Sequence, residues 1–145
     1  MKRVFLDSSV LFSAIYSSRG HSRDLLLMAL RKELGLVTSP LVLEKTRRNL
    51  SEHAPRQLIF LDFVLGNLGF EEVRPTKREV LAATKVVVLK DAPIIAAAKR
   101  ASVDLLVSLD KRHILSNPEL AKYTNAEVLT PQAAVKMITA EKGRK

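Results

Sequence analysis

Short, wholly apolar runs alternate along this chain with longer segments of helical period. Val4, Phe5 and Leu6 follow one another without a polar position, as in a strand buried on both faces. After the polar step Asp7, Ser8 and Ser9, Val10 to Tyr16 resumes as an apolar helix. A break at Ser17 to Gly20 places Ser22 as the cap of a helix reaching Leu34, with Leu25, Leu26, Met28, Ala29 and Leu30 on its apolar face and Gly35 as its stop. Leu36 to Thr38 reads as a second strand. Ser39 and Pro40 then supply a cap and a first-turn proline for a helix carrying Leu41, Leu43, Glu44, Arg47 and Arg48.

The alternation continues beyond Pro55. Arg56 to Leu68 is helical and ends at Gly69 before a short strand, Phe70 to Val73. Thr76 and Glu79 have capping-box spacing ahead of a helix from Val80 to about Val87, although the β-branched run Val86 to Leu89 also suits a strand. Asp91 to Ala101, with Pro93 in its first turn and Lys99 and Arg100 at its end, is the clearest helix, and Asp104 to Leu109 the clearest strand. Ala126 to Leu129 is the final strand, and Thr130 and Pro131 open the last helix. This order predicts an α/β fold, a doubly wound parallel sheet of about five strands with helices on both faces. The 145 residues suffice for one core and not for two, so a single domain is expected over residues 1–140, with a basic tail at 141–145.

Composition narrows the chemistry. The net charge of +9 favours an anionic partner such as nucleic acid. With no cysteine, disulfides and thiolate zinc ligands are excluded. Asp7, Ser8 and Ser9 interrupt the N-terminal apolar run, which therefore does not read as a signal peptide, and no run approaches the roughly 20 residues that span a bilayer. A cytoplasmic protein with no membrane partner is expected.

Against this basic background, three acids fall at strand-helix junctions: Asp7, Asp91 and Asp110. Singly, each has a plain role as a helix cap or turn residue. Together, at the shared carboxyl edge of a parallel sheet, they can converge on a cation. Glu44 joins them if its helix turns it inward; otherwise an ion pair with Arg48 one turn on accounts for it. Such a quartet suits Mg²⁺ or Mn²⁺, whose hard charge offsets carboxylate repulsion and whose Lewis acidity activates water and phosphate. Ser108 lies on the same side of its strand as Asp110, where its hydroxyl can bond either a metal-bound water or a neighbouring acid. His21, His53 and His113 lack metal-ligand spacing; His113, three residues after Asp110, can touch a substrate, but a surface histidine is the favoured reading. Asp104, at a strand's start, is read as turn chemistry.

The segments VFLDSSVLFSA, LVLEKTRRNL, KDAPIIAAAKRASVD and LLVSLDKRHIL resemble a PIN domain, the ribonuclease fold of many toxins in toxin-antitoxin pairs and of RNA-processing factors. The resemblance spans nearly the whole chain. It implies that Asp7, Glu44, Asp91 and Asp110 are the acidic quartet, that Ser108 is the supporting Ser or Thr, and that RNA and Mg²⁺ or Mn²⁺ are substrate and cofactor. Ser9 departs from the family, which usually has Asn at that position; its hydroxyl still donates and accepts a hydrogen bond. The expectation is a divalent-metal-dependent endoribonuclease with Arg47, Arg48, Lys111 and Arg112 on the phosphate backbone. The alternative is a PIN-like RNA-binding or scaffold module with little catalysis. A small antitoxin-like protein is one expected partner, and a homodimer another, because related domains often pair.

Overall fold

In the computed structural model, which describes residues 1–143, the strand β1 (Lys2–Leu6) is the centre of the molecule. Around it lie β2 (Leu34–Thr38), β3 (Glu71–Glu72), β4 (Leu105–Val107) and β5 (Glu127–Leu129), all parallel, in the order β3-β2-β1-β4-β5. The chain steps outward from β1 to β2 and β3, then returns to the other side of β1 for β4 and β5. The topological switch therefore falls between β1 and β4, and ligands of open parallel sheets bind at the strands' carboxyl ends beside such a switch. Val4, Phe5 and Leu6 on β1 and Leu105, Leu106 and Val107 on β4 are fully buried, as strands covered on both faces must be. The outermost strands are short, which limits their exposed edges.

Among the described residues eight α-helices surround the sheet: α1 (Ser8–Tyr16), α2 (His21–Leu30), α3 (Pro40–His53), α4 (Leu58–Asn67), α5 (Lys77–Ala83), α6 (Ala92–Ala101), α7 (Glu119–Thr124) and α8 (Pro131–Gly143). Ser39 caps α3 by accepting from the Val42 N–H at 3.3 Å, and Thr76 with Glu79 forms the expected capping box on α5. The buried alanines of α6, from Ala92 to Ala101, allow this helix to lie close against its neighbours.

Several boundaries differ from the sequence reading. Helix α2 stops at Leu30 rather than Leu34. Lys32 takes a left-handed conformation (φ 60°), and the Lys32 and Glu33 N–H groups return to Ala29 and Met28 carbonyls, a Schellman closure made without glycine that frees Leu34 for β2. Ser22 is buried inside α2, and Gly20 (φ 109°) stands at the cap position with no side-chain bond. Helix α5 ends at Ala83, and Val86 to Leu89 forms no strand; a 3-10 turn at Leu89–Asp91 leads into α6. Two elements were not foreseen, a π-helical turn over Lys111–Leu115 and the short α7. Helix α8 runs through Gly143, so Glu141 to Gly143 of the expected tail are helical, and 144–145 lie outside the described residues. Among the described residues no helix is long and apolar enough to cross a membrane.

Candidate active site

Asp7 and Ser108 occupy the first positions past the paired ends of β1 and β4. Leu6 pairs with Val107, and the next step places the Asp7 N–H on the Val107 carbonyl at 2.9 Å. Ser108 Oγ then donates to Asp7 Oδ2 at 2.8 Å and accepts from the Asp110 N–H at 3.0 Å. Strand β4 ends at Val107 rather than at Leu109, and beyond it the Ser108 hydroxyl takes up the Asp110 N–H. Ser9 Oγ contributes from α1, donating to Asp7 Oδ2 at 3.4 Å and accepting from the Leu109 N–H at 3.2 Å. Ser9 thus ties the start of α1 to the loop after β4.

The three junction acids have different surroundings. Asp7 is 8% exposed and caps α1 through the Ser8 N–H at 2.7 Å. Asp91 is also 8% exposed, yet it makes no capping bond to α6, and its Oδ2 is buried without a hydrogen-bond partner. The capping explanation therefore fails for Asp91. Burial pushes its carboxyl above the ordinary aspartate range, and Asp7 and Asp110 push it further, against the opposing pull of Lys90 and Lys45. An unpartnered buried carboxylate oxygen is costly to keep, so some other group is needed to satisfy it.

Asp110 caps the π-helical turn: Oδ1 accepts from the His113 N–H at 3.0 Å, and Oδ2 lies 3.3 Å from His113 Nδ1. Burial alone would raise its pKa, but the His113 backbone N–H, the His113 ring and Lys90 outweigh it and hold the carboxyl below the ordinary range. Potential ligand atoms of Asp91, Asp110 and His113 all lie within 4.8 Å of one another. This donor set, two carboxylates and an imidazole with one orphaned buried oxygen, fits a divalent cation.

The remaining expected residues are less engaged. Glu44 is exposed on α3, is not among these close donors, and forms no ion pair with Arg48. Arg47 is paired with Asp62 at 2.8 Å instead. Arg48, Lys111 and Arg112 are exposed and have no ion-pair partner among the described residues. Sequence reasoning gave His113 little weight and missed Lys90 and Lys45, whose charges reach Asp91; the i,i+3 spacing from Asp110 was the available signal for His113. A shallow cleft of about 500 Å³, lined in part by Lys85, Arg112, His113 and Asn117, adjoins the site. Another, of about 470 Å³, lies at the strands' opposite end, where Asp104 is already bonded to the Arg3 N–H and Glu33 to Lys142 and Arg31.

Ser108 offers a direct test of this network. Ser108→Ala should cost about 1–3 kcal/mol, because a buried Asp7 oxygen and the Asp110 N–H each lose a partner. If Asp7 and Asp110 hold a cation, the substitution should also weaken divalent-metal binding about 10- to 100-fold, because both residues lose a bond that orients them. Urea unfolding and a metal titration measure the two effects.

A family model described as PIN domain matches residues 4–117. Similar solved structures include VapBC2 from Rickettsia felis bound to a DNA fragment from their promoter, at 16% identity and a TM-score of 0.62 over 88% of this chain and 98% of that one. PAE2754 from Pyrobaculum aerophilum is similar at 16% identity and a TM-score of 0.61, covering 96% and 98% of the two chains. FitAcB from Neisseria gonorrhoeae is similar at 13% identity and a TM-score of 0.58, covering 89% and 98%. No curated protein sequence matches significantly.

Proposed function

The chain belongs to the PIN domain family, and on that premise we propose that it is a divalent-metal-dependent ribonuclease acting as the toxin of a toxin-antitoxin pair. The observation that carries this reading is Asp91, a buried carboxylate with an orphaned oxygen beside Asp110 and His113 and within electrostatic reach of Asp7. Asp91 and Asp110 would hold the cation together with Asp7, whose charge reaches Asp91, and Glu44, exposed on α3, is the remaining acid of the expected quartet. When bound, the ion supplies charge neutralisation, an activated water and a Lewis acid for the scissile phosphate. Ser9 and Ser108 keep Asp7 and the loop after β4 in register. Lys111, Arg112 and Arg48 draw in the RNA backbone, a contribution that falls as added salt makes counterion release less favourable.

The promoter-bound VapBC2 relative favours a small antitoxin-like partner for this chain as well. A purely RNA-binding module is less well supported, since binding alone gives no reason to retain an unsatisfied buried acid. Labelled single-stranded and hairpin RNAs incubated with Mn²⁺, Mg²⁺ or EDTA test the proposal. Cleavage is expected in either metal and none in EDTA. RNA retention without cleavage in every metal would instead establish the binding module.

A further inference from the structure

We propose that His113 is itself a ligand of this centre, making it a mixed oxygen-nitrogen site that favours Mn²⁺ over Mg²⁺. The proposal rests on the metal-dependent reading above. Asp110 is both neighbour and tether: its Oδ1 holds the His113 N–H at 3.0 Å, so the π-helical turn brings the ring back toward the site while Lys111 and Arg112 stay exposed. The ring is 27% exposed, and its Nδ1 lies 3.3 Å from Asp110 Oδ2.

Geometry supports coordination. Around a six-coordinate ion with bonds of roughly 2.1 Å, neighbouring ligand atoms lie about 3 Å apart and opposite ones about 4.2 Å. The potential ligand atoms of Asp91, Asp110 and His113 fall within 4.8 Å of one another, so a small contraction completes the arrangement. The independent sign of a missing occupant is Asp91 Oδ2, buried and without a partner. An imidazole nitrogen is a poor donor for Mg²⁺, which prefers oxygen ligands and retained waters, and a better one for first-row transition ions. His113 therefore tilts the centre away from Mg²⁺.

The test uses the full chain and Mn²⁺ as probe. Pulsed electron paramagnetic resonance of the wild-type protein with Mn²⁺ should show ¹⁴N coupling, and His113→Asn should remove it. Titration should show Mn²⁺ affinity falling at least about tenfold in His113→Asn, with Mg²⁺ affinity changed less than about twofold. Mn²⁺ bound by the wild type and lost in Asp91→Asn, but without ¹⁴N coupling, would overturn the ligand role and leave the metal-dependent reading standing. No Mn²⁺ binding by the wild type would overturn both. Because the wild-type spectrum carries the decisive signal, the test does not depend on the variant folding.

Discussion

Asp91→Asn should lose at least about a thousandfold in metal-dependent RNA cleavage, on the scale seen when a catalytic group is removed, while the metal-free protein becomes more stable. The two effects have one cause. Asp91 is buried, its Oδ2 has no partner, and burial with Asp7 and Asp110 raises its pKa, so the folded state carries an electrostatic penalty when this carboxylate is ionised. Because its folded pKa lies above the unfolded value, the folded state binds more protons between the two. Stability from this group thus falls as pH rises through that window and stays reduced above it. Asparagine removes the loss. The metal-free variant should be the more stable at neutral pH, and the gain should vanish at pH values below the window. Asp110 has the opposite sign: its lowered pKa gives stability above its unfolded value that is lost as pH falls through the folded one. Thermal unfolding of both proteins across pH separates the contributions. Saturating Mn²⁺ should reverse the order, raising the wild-type midpoint and leaving the variant's nearly unchanged.

Asp7 predicts a different pair of results, because it caps α1 and is also an acid of the proposed site. Asp7→Asn retains an oxygen for the Ser8 N–H but loses the charge and leaves Ser108 Oγ without an acceptor at that position. Cleavage should again fall about a thousandfold, with stability changed by about 1 kcal/mol or less. Asp7→Ala should lose as much activity and also about 2 kcal/mol or more of stability, combining a lost helix cap with an unsatisfied buried hydroxyl. Urea unfolding beside a cleavage assay distinguishes the two variants. Parental cleavage by Asp7→Asn would remove Asp7 from the site.

The main features of the fold were legible because the signals were local. The uninterrupted burial of Val4 to Leu6 and the capping residues Ser39 and Thr76 follow directly from sequence, as does the placement of Asp7 past β1. What was missed depends on backbone choices without a residue-specific mark. Lys32 closes α2 in a left-handed conformation that glycine would ordinarily signal. Asp91 resembles a routine N-cap in sequence, and only the fold reveals that its side chain caps nothing. His113 joins the acids through a π-helical turn, a rare conformation that periodicity does not announce. Glu44 illustrates the converse: its neighbours in sequence suggest partial burial, whereas α3 presents it to solvent.

The claim at the centre of this account is that the carboxylates after β1 and β4 and before α6 hold one divalent cation in common. The most direct measurement is anomalous diffraction from a crystal of the protein soaked in Mn²⁺. The account predicts a peak within coordination distance of Asp91 Oδ2 and Asp110, on the side facing Asp7. Well-ordered side chains with no peak there at saturating Mn²⁺, or a peak only in the cleft lined by Glu33 and Asp104, would contradict it.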